Sequence, residues 1–253
     1  MKSYAFTLQK GGTGKTSIGV SVAAELAKNF RVALIDCDPQ GNATSWLIQG
    51  DLHSELADCF LDSASVESVI LKTGVCNLDI LPTAGLGGRL KFFAESTEQG
   101  KNPFCIADML DRLSALKYDF AILDLSPSFG LFERNAVIAC DEVITPIIPV
   151  NFSVEGLAIF ADNIATARKS LRTARPQYKR IVINAIDNRL EQHAEYIEQV
   201  TGQMSDFYIY KIRVDPVFPK AQTKKLVIQQ MSAAKRETLE EINRLANDLI
   251  KEG

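Results

Sequence analysis

The chain has 253 residues, 46% hydrophobic and 23% charged, with a formal net charge of −3. Those figures predict a soluble globular protein with one large core, and they exclude a chain whose bulk charge alone would mark it as a nucleic-acid binder. Five cysteines (Cys37, Cys59, Cys76, Cys105 and Cys140) without a CxxC pair argue against a disulfide framework, a zinc site or an iron–sulfur site, and they suit a reducing cytoplasm.

The opening residues hold too short an apolar stretch for a signal peptide, and no run of about 18 apolar residues is present for a membrane span. No Pro/Gly/Ser linker, low-complexity tract or internal repeat marks a boundary, so a single domain over residues 1–253 is expected. Charge is uneven along the chain: residues 1–150 carry 12 Lys/Arg against 18 Asp/Glu, while residues 151–253 carry 16 against 13.

Short β-branched runs alternate with helical patterns, which predicts an α/β fold, a mostly parallel twisted sheet with helices on both faces. The first strand is expected at 4–8. The first helix is expected at 15–28, where Ile18, Val22 and Leu26 recur at four-residue spacing as an amphipathic stripe. Between them lies Lys10-Gly11-Gly12-Thr13-Gly14-Lys15-Thr16, followed by Ser17. Glycines let successive backbone N–H groups turn inward and the helix N-terminus adds partial positive charge, so this segment reads as a cradle for the phosphates of a nucleoside triphosphate. Lys15 supplies charge to the terminal phosphates, and Thr16 offers its hydroxyl to magnesium. The loop departs from the general GxxxxGK[ST] form, because Gln9 stands where the first glycine would fall and Lys10 follows it. A second cation beside one triphosphate calls for further negative charge, and phosphate is its natural target. A glycine-rich turn with solvated lysines is the plainer alternative; the strand–loop–helix context argues against it.

A second strand, 31–36, runs into Asp36-Cys37-Asp38-Pro39-Gln40-Gly41-Asn42. Strand ends are where open α/β sheets place ligand-binding groups. One of these two acids can orient a water for in-line attack, and its neighbour can hold magnesium through waters. Strands follow at 78–81 and 119–124, the latter ending in Asp124 before Leu125-Ser126-Pro127-Ser128. As the third acid of an ordered set, Asp124 is expected to hold a magnesium-bound water. Further strands are expected at 143–150, 180–184 and 207–212, and a last amphipathic helix at 232–251. His53, His193 and Trp46 receive no functional role.

These motifs together resemble the ParA/Soj/MinD family of P-loop ATPases with a deviant Walker A loop, most closely its short ParA or Soj branch. The likeness rests on the lysine-first loop at 10–16, the DxDPQGN segment at 36–42, the acid at 124, and Asp141-Glu142-Val143-Ile144 leading to Val154-Glu155-Gly156-Leu157. It implies ATP and Mg2+ as cofactors, with Lys10, Lys15 and Asp38 as the catalytic set. Lys10 would reach across an ATP-bound homodimer to the partner's phosphates, and Asp38 would position the attacking water. It further implies that Asn184 contacts the adenine and that the Ile212-Arg213-Val214-Asp215-Pro216 segment gives a second base contact at Asp215. The family's usual proline pair after the third acid is broken here by Ser126.

Within the family, a MinD-like membrane regulator would end in a basic amphipathic helix, whereas residues 247–253 are mixed in charge and lack aromatics, so no stable membrane association is expected. The cysteines lack the glycine-rich setting of an electron-transfer relative, and the phosphate loop begins too early for the helix-turn-helix extension of longer plasmid types. The expectation is therefore a weak ATPase that moves chromosome or plasmid. Its dimer would bind double-stranded DNA without sequence preference, and a ParB-type partner would stimulate hydrolysis. Two basic groups are available: Arg168, Lys169, Arg172, Arg175, Lys179 and Arg180, and a later set of which Lys211, Arg213, Lys235 and Arg236 are the favoured DNA contacts. The rivals are a membrane-positioning ATPase, a ParA-like protein positioning another cargo, and a metabolic P-loop enzyme acting on a small molecule.

Overall fold

The computed structural model describes residues 1–61, 63–96, 104–128, 130–149 and 154–251. Eight strands form one sheet in the order β3-β4-β2-β5-β1-β6-β7-β8. They are β1 (Lys2–Phe6), β2 (Val32–Cys37), β3 (Leu71–Lys72), β4 (Leu78–Leu81), β5 (Phe120–Leu125), β6 (Glu142–Ile147), β7 (Gln177–Ile186) and β8 (Tyr208–Arg213). Every pairing is parallel except β3 against β4. Parallel strands need crossovers and are covered on both faces, which explains why β2 and β5 are continuous apolar runs rather than alternating ones.

One face carries α1 (Lys15–Leu26), α2 (Asn42–Leu47), α10 (Val217–Lys224) and α11 (Arg236–Lys251), whose apolar residues share a core with Tyr4, Phe6, Leu34 and Ile122. The opposite face is covered by α3 (Leu56–Phe60), α4 (Val66–Val69), α5 (Leu90–Glu95), α6 (Cys105–Ala115), α7 (Leu131–Ala139) and part of α8 (Val154–Leu171). Helix α9 (Glu191–Gln203) closes a smaller cluster near β7 with Ile181, Ile183 and Val200.

The expected strands are present with shifted ends. Residues 31–36 become Val32–Cys37 and 180–184 lengthens to Gln177–Ile186, because the polar start Gln177-Tyr178 pairs with Glu142 and Val143 across a bulge. Of the expected strand 143–150, Val150 lies outside the described residues. The antiparallel β3 has no counterpart in the sequence expectation, since two residues cannot show a period. The first helix is corrected more deeply. Instead of an amphipathic surface element, α1 is buried from Ile18 to Leu26, because α11 packs over the side that its four-residue stripe would leave in water. Helix α11 is the true amphipath, burying Ile242, Leu245, Ala246 and Leu249 and exposing its charges.

Arg180 is the other correction. Read from sequence as part of a DNA-facing group, it is 1% exposed and donates to the Glu142 carboxylate, with Nη2 reaching the Asp248 carbonyl at 3.4 Å. It ties β7 to β6 and to α11. Arg180→Ala removes the guanidinium that meets the buried Glu142 carboxylate and is expected to cost about 3–5 kcal/mol; urea unfolding should show this as a large drop in midpoint at unchanged slope.

Candidate nucleotide site

The strand ends set the site. In register, Phe6 of β1 and Asp36 of β2 both lie beside Asp124 of β5, so the loop leaving β1 and two acids emerge together at the carboxyl ends of three central strands. Between β1 and α1, Gly12 and Gly14 take φ of +74° and +97°, left-handed values that let the amides turn inward. A Cβ at Gly14 would collide with the Asn184 side-chain amide, whose nitrogen donates to the Thr13 carbonyl at 3.1 Å. Asn184 thus stands over the loop from β7, 171 residues away in sequence.

The Lys15 ammonium donates to the Lys10 carbonyl at 2.8 Å, bracing the loop across its width. Burial pushes the Lys15 pKa down, and the nearby Asp124 and Asp38 carboxylates oppose that shift. One cleft is lined by Gly11, Gly12, Gly14, Lys15, Thr16, Ser17 and Asp38, with Gln40, Asn42, Trp46, Pro127 and Gln222 completing its walls.

The three acids differ in their surroundings. Asp36 is fully buried and accepts from the Thr44 amide at 2.7 Å and the Thr44 hydroxyl at 2.6 Å; the Thr83 amide donates to that hydroxyl oxygen at 2.9 Å. Asp38 is 7% exposed and accepts from the Gln40 amide at 2.9 Å, closing the turn into α2. Burial raises its pKa; the Gln40 amide and Lys15 pull it down, and the Glu133 carboxylate adds to the rise. Asp124 is fully buried and neither of its oxygens has a hydrogen-bond partner among the described residues. Burial drives its pKa well up, the Asp36 charge adds to that, and the nearby Thr16 hydroxyl opposes it. A buried carboxylate opposed by little more than the nearby Thr16 hydroxyl and the Lys15 charge is costly unless something outside the chain meets it. Beside Thr16 and Asp36, it fits a hydrated divalent cation that would be held partly through water.

Other sequence expectations fall away from this cleft. The Asp215 carboxylate accepts from the Val217 amide at 3.0 Å, the Lys235 amide at 3.1 Å and the Thr238 hydroxyl at 2.8 Å, so it orders the starts of α10 and α11. Lys211 and Arg213 lie on the exposed side of β8, with Arg213 3.6 Å from Glu237. The Lys235 ammonium donates to the Val214 carbonyl at 2.7 Å, and Arg236 pairs with Glu240 at 2.6 Å. Acids of α11 therefore meet two of these four cations, Arg213 and Arg236. Trp46, by contrast, lines the cleft from the core and donates its indole N–H to the Leu226 carbonyl at 2.8 Å.

Glu133, Thr44, Thr83 and Gln222 were missed in the sequence. Glu133 looks there like an acid in a first helical turn, and Gln222 carries no motif at all.

Fold and site together define a P-loop nucleotide-binding protein with a deviant Walker A loop. Residues 1–175 match a family model described as an AAA domain. Soj, the sporulation initiation inhibitor protein of Bacillus subtilis, is 33% identical over 227 residues, covering 83% of this chain and 82% of Soj. Among solved structures, a putative plasmid partition protein of Borrelia burgdorferi bound to AMPPNP superposes with a TM-score of 0.81 at 21% identity, covering 100% and 99% of the two chains. MinD of Pyrococcus horikoshii, complexed with Mg-ADP, superposes at 0.77 and 22% identity, covering 99% and 96%. The chain belongs to the ParA/Soj family of partitioning ATPases.

The acids also set a pH dependence. A carboxyl whose folded pKa lies above its unfolded value stabilises the fold below the unfolded pKa, and that contribution is lost as pH rises through the folded pKa. Asp36 and Asp124 are both raised, so the nucleotide-free protein is expected to melt at a lower temperature at about pH 8 than at about pH 5.5. Asp124→Asn removes one buried charge. It should raise the melting temperature of the nucleotide-free protein at the higher pH by a few degrees, at about 2–4 °C per kcal/mol, while weakening magnesium-dependent stabilisation by ATP. Differential scanning calorimetry across pH, with and without Mg-ATP, checks both.

Proposed function

We propose that this protein is an ATP-hydrolysing partition switch, with residues 1–253 acting as one cytoplasmic unit. The observation that carries the reading is that Lys15 and Asp38 line one glycine cradle, with the buried Asp124 close enough to act on Lys15 from the adjacent strand end. The triphosphate lies against the amides of Gly11, Gly12, Thr13, Gly14, Lys15, Thr16 and Ser17, where the start of α1 and the Lys15 ammonium neutralise it. Asn184 takes the adenine side. A second base contact from the Asp215 segment falls to its main chain, since its carboxylate is engaged. Thr16 would hold magnesium directly, and Asp36 and Asp124 through water; when bound, the ion screens the phosphate charge. Asp38 orients the attacking water by accepting its hydrogen bond.

Lys10 completes the site of a second copy, closing a homodimer only when ATP is present. In that state the dimer holds double-stranded DNA through phosphate contacts, with Lys211, Arg213, Lys235 and Arg236 as the contacts, and gathers at the nucleoid. Arg236 would exchange Glu240 for phosphate, a small loss because the pair is exposed and screened. A ParB-type protein stimulates hydrolysis and so releases the DNA. Helix α11 supports this reading over a lipid-binding one, because its apolar face is buried against α1 and the sheet. Among the described residues no helix is long and apolar enough to cross a membrane.

DNA retention measured with ATP and with ADP across a salt series tests the switch. Retention is expected only with ATP, falling steeply as salt rises; equal retention in both states sinks the proposal. In the same assay Lys10→Ala should still bind ATP but stay monomeric and release DNA, and Asp38→Ala should hold the ATP dimer together. Light scattering of both variants supplies the mass.

A further inference from the structure

The loop that leaves β5 beyond Asp124 contains a hydrogen-bonded device outside the family motifs, anchored on buried Ser126 and Glu133 while Pro127 and Ser128 are exposed. Ser126 and Ser128 flank Pro127, whose ring lines the nucleotide cleft. Both serine hydroxyls lie on one carboxylate oxygen of Glu133, at 2.6 Å and 2.5 Å, and they are 2.6 Å from each other. Glu133 is 3% exposed and Ser126 5%. Three contacts share two hydroxyl protons, so at any moment two are hydrogen bonds, and the carboxylate terminates whichever pair forms. Charge-assisted hydrogen bonds of this length are among the stronger polar contacts a protein makes. The other carboxylate oxygen lies 3.0 Å from where a Cβ would stand on Gly130, so the start of α7 closes tightly around Glu133.

Serine in place of proline at 126 gives up a rigid backbone ring, and the two hydroxyls restore the constraint through a side chain on the following helix. We infer that Glu133 is a positioning residue of the nucleotide site: by holding both neighbours of Pro127 it fixes the cleft wall that follows Asp124, and through that wall it sets how tightly ATP is held and how fast it is hydrolysed. The inference rests on the ATPase reading of the cleft. Glu133 does not touch the nucleotide and acts through the Ser126-Pro127-Ser128 segment.

The test uses the full chain and measures binding of a fluorescent ATP analogue with Mg2+ alongside steady-state ATPase. Glu133→Gln keeps an oxygen that accepts from both serines and should remain within about twofold of the parent in KM and kcat. Glu133→Ala should lose about tenfold in kcat/KM, the scale expected when a site wall shifts by a fraction of an ångström. Ser126→Ala combined with Ser128→Ala removes the donors instead and should reproduce that loss, which keeps the test open if Glu133→Ala fails to fold. Parent-like kinetics in the serine double variant, or equal damage in Glu133→Gln and Glu133→Ala, overturns the inference. Lys15→Ala serves as the separate control: if it binds and hydrolyses ATP like the parent, the ATPase reading fails instead.

Discussion

Placing Asp36 and Asp124 beside each other at the ends of adjacent parallel strands, in a sheet covered on both faces, leaves two neighbouring carboxylates with no exposed surface. The rest of the cleft is arranged around that constraint. Asp36 is compensated by Thr44, whose hydroxyl is in turn fixed by the Thr83 amide, so one acid is absorbed into the polypeptide. Asp124 has no comparable pair of hydrogen bonds among the described residues; only the nearby Thr16 hydroxyl and the Lys15 charge oppose its burial. Two acids of the same type in adjacent register positions thus sit in different surroundings, one tied to the chain by an amide and a hydroxyl of Thr44 and the other without such a pair.

The segment joining these acids to α2 is held by close backbone packing. Gly41 takes φ of +65°, and a Cβ there would stand 2.8 Å from the Thr83 carbonyl and 2.9 Å from the Gly85 nitrogen, both main-chain atoms that cannot swing aside. The Thr83 hydroxyl also donates to the Asp36 carbonyl at 2.6 Å. The loop after β4 is therefore the floor under the Asp36–Asn42 segment. Asp38, which this segment carries, keeps its place because its surroundings are rigid on both sides.

How much of this could be read in the sequence depended on how local the cause was. The phosphate loop, Asp36, Asp38 and Asp124 were visible because each stands at a strand end beside residues whose chemistry has few other uses. Asn184 entered only through the family resemblance; its contact with Thr13 joins segments that share no sequence pattern. The burial of α1 was misjudged because a helix covered by another helix has the same four-residue stripe as one facing water, and only the packing of α11 distinguishes them. The cation clusters are a different case. A run of arginines and lysines does not reveal whether an acid lies across the surface, as Glu142 does for Arg180 and Glu237 for Arg213. Glu133 could have been suspected from the serine at 126, since a lost proline ring invites some other restraint.

The last strand of the sheet, β8, leaves one edge of main-chain groups facing outward. Helix α11 closes it with an i,i+3 pair: Glu241 accepts the Lys211 amide at 2.6 Å and Arg244 donates to the Ile209 carbonyl at 2.9 Å, while the two side chains also bind each other. A strand from another molecule would first have to displace an ion pair anchored to a long helix. Lateral growth of the sheet past β8 is discouraged, and the guard is supplied by the chain's own last helix.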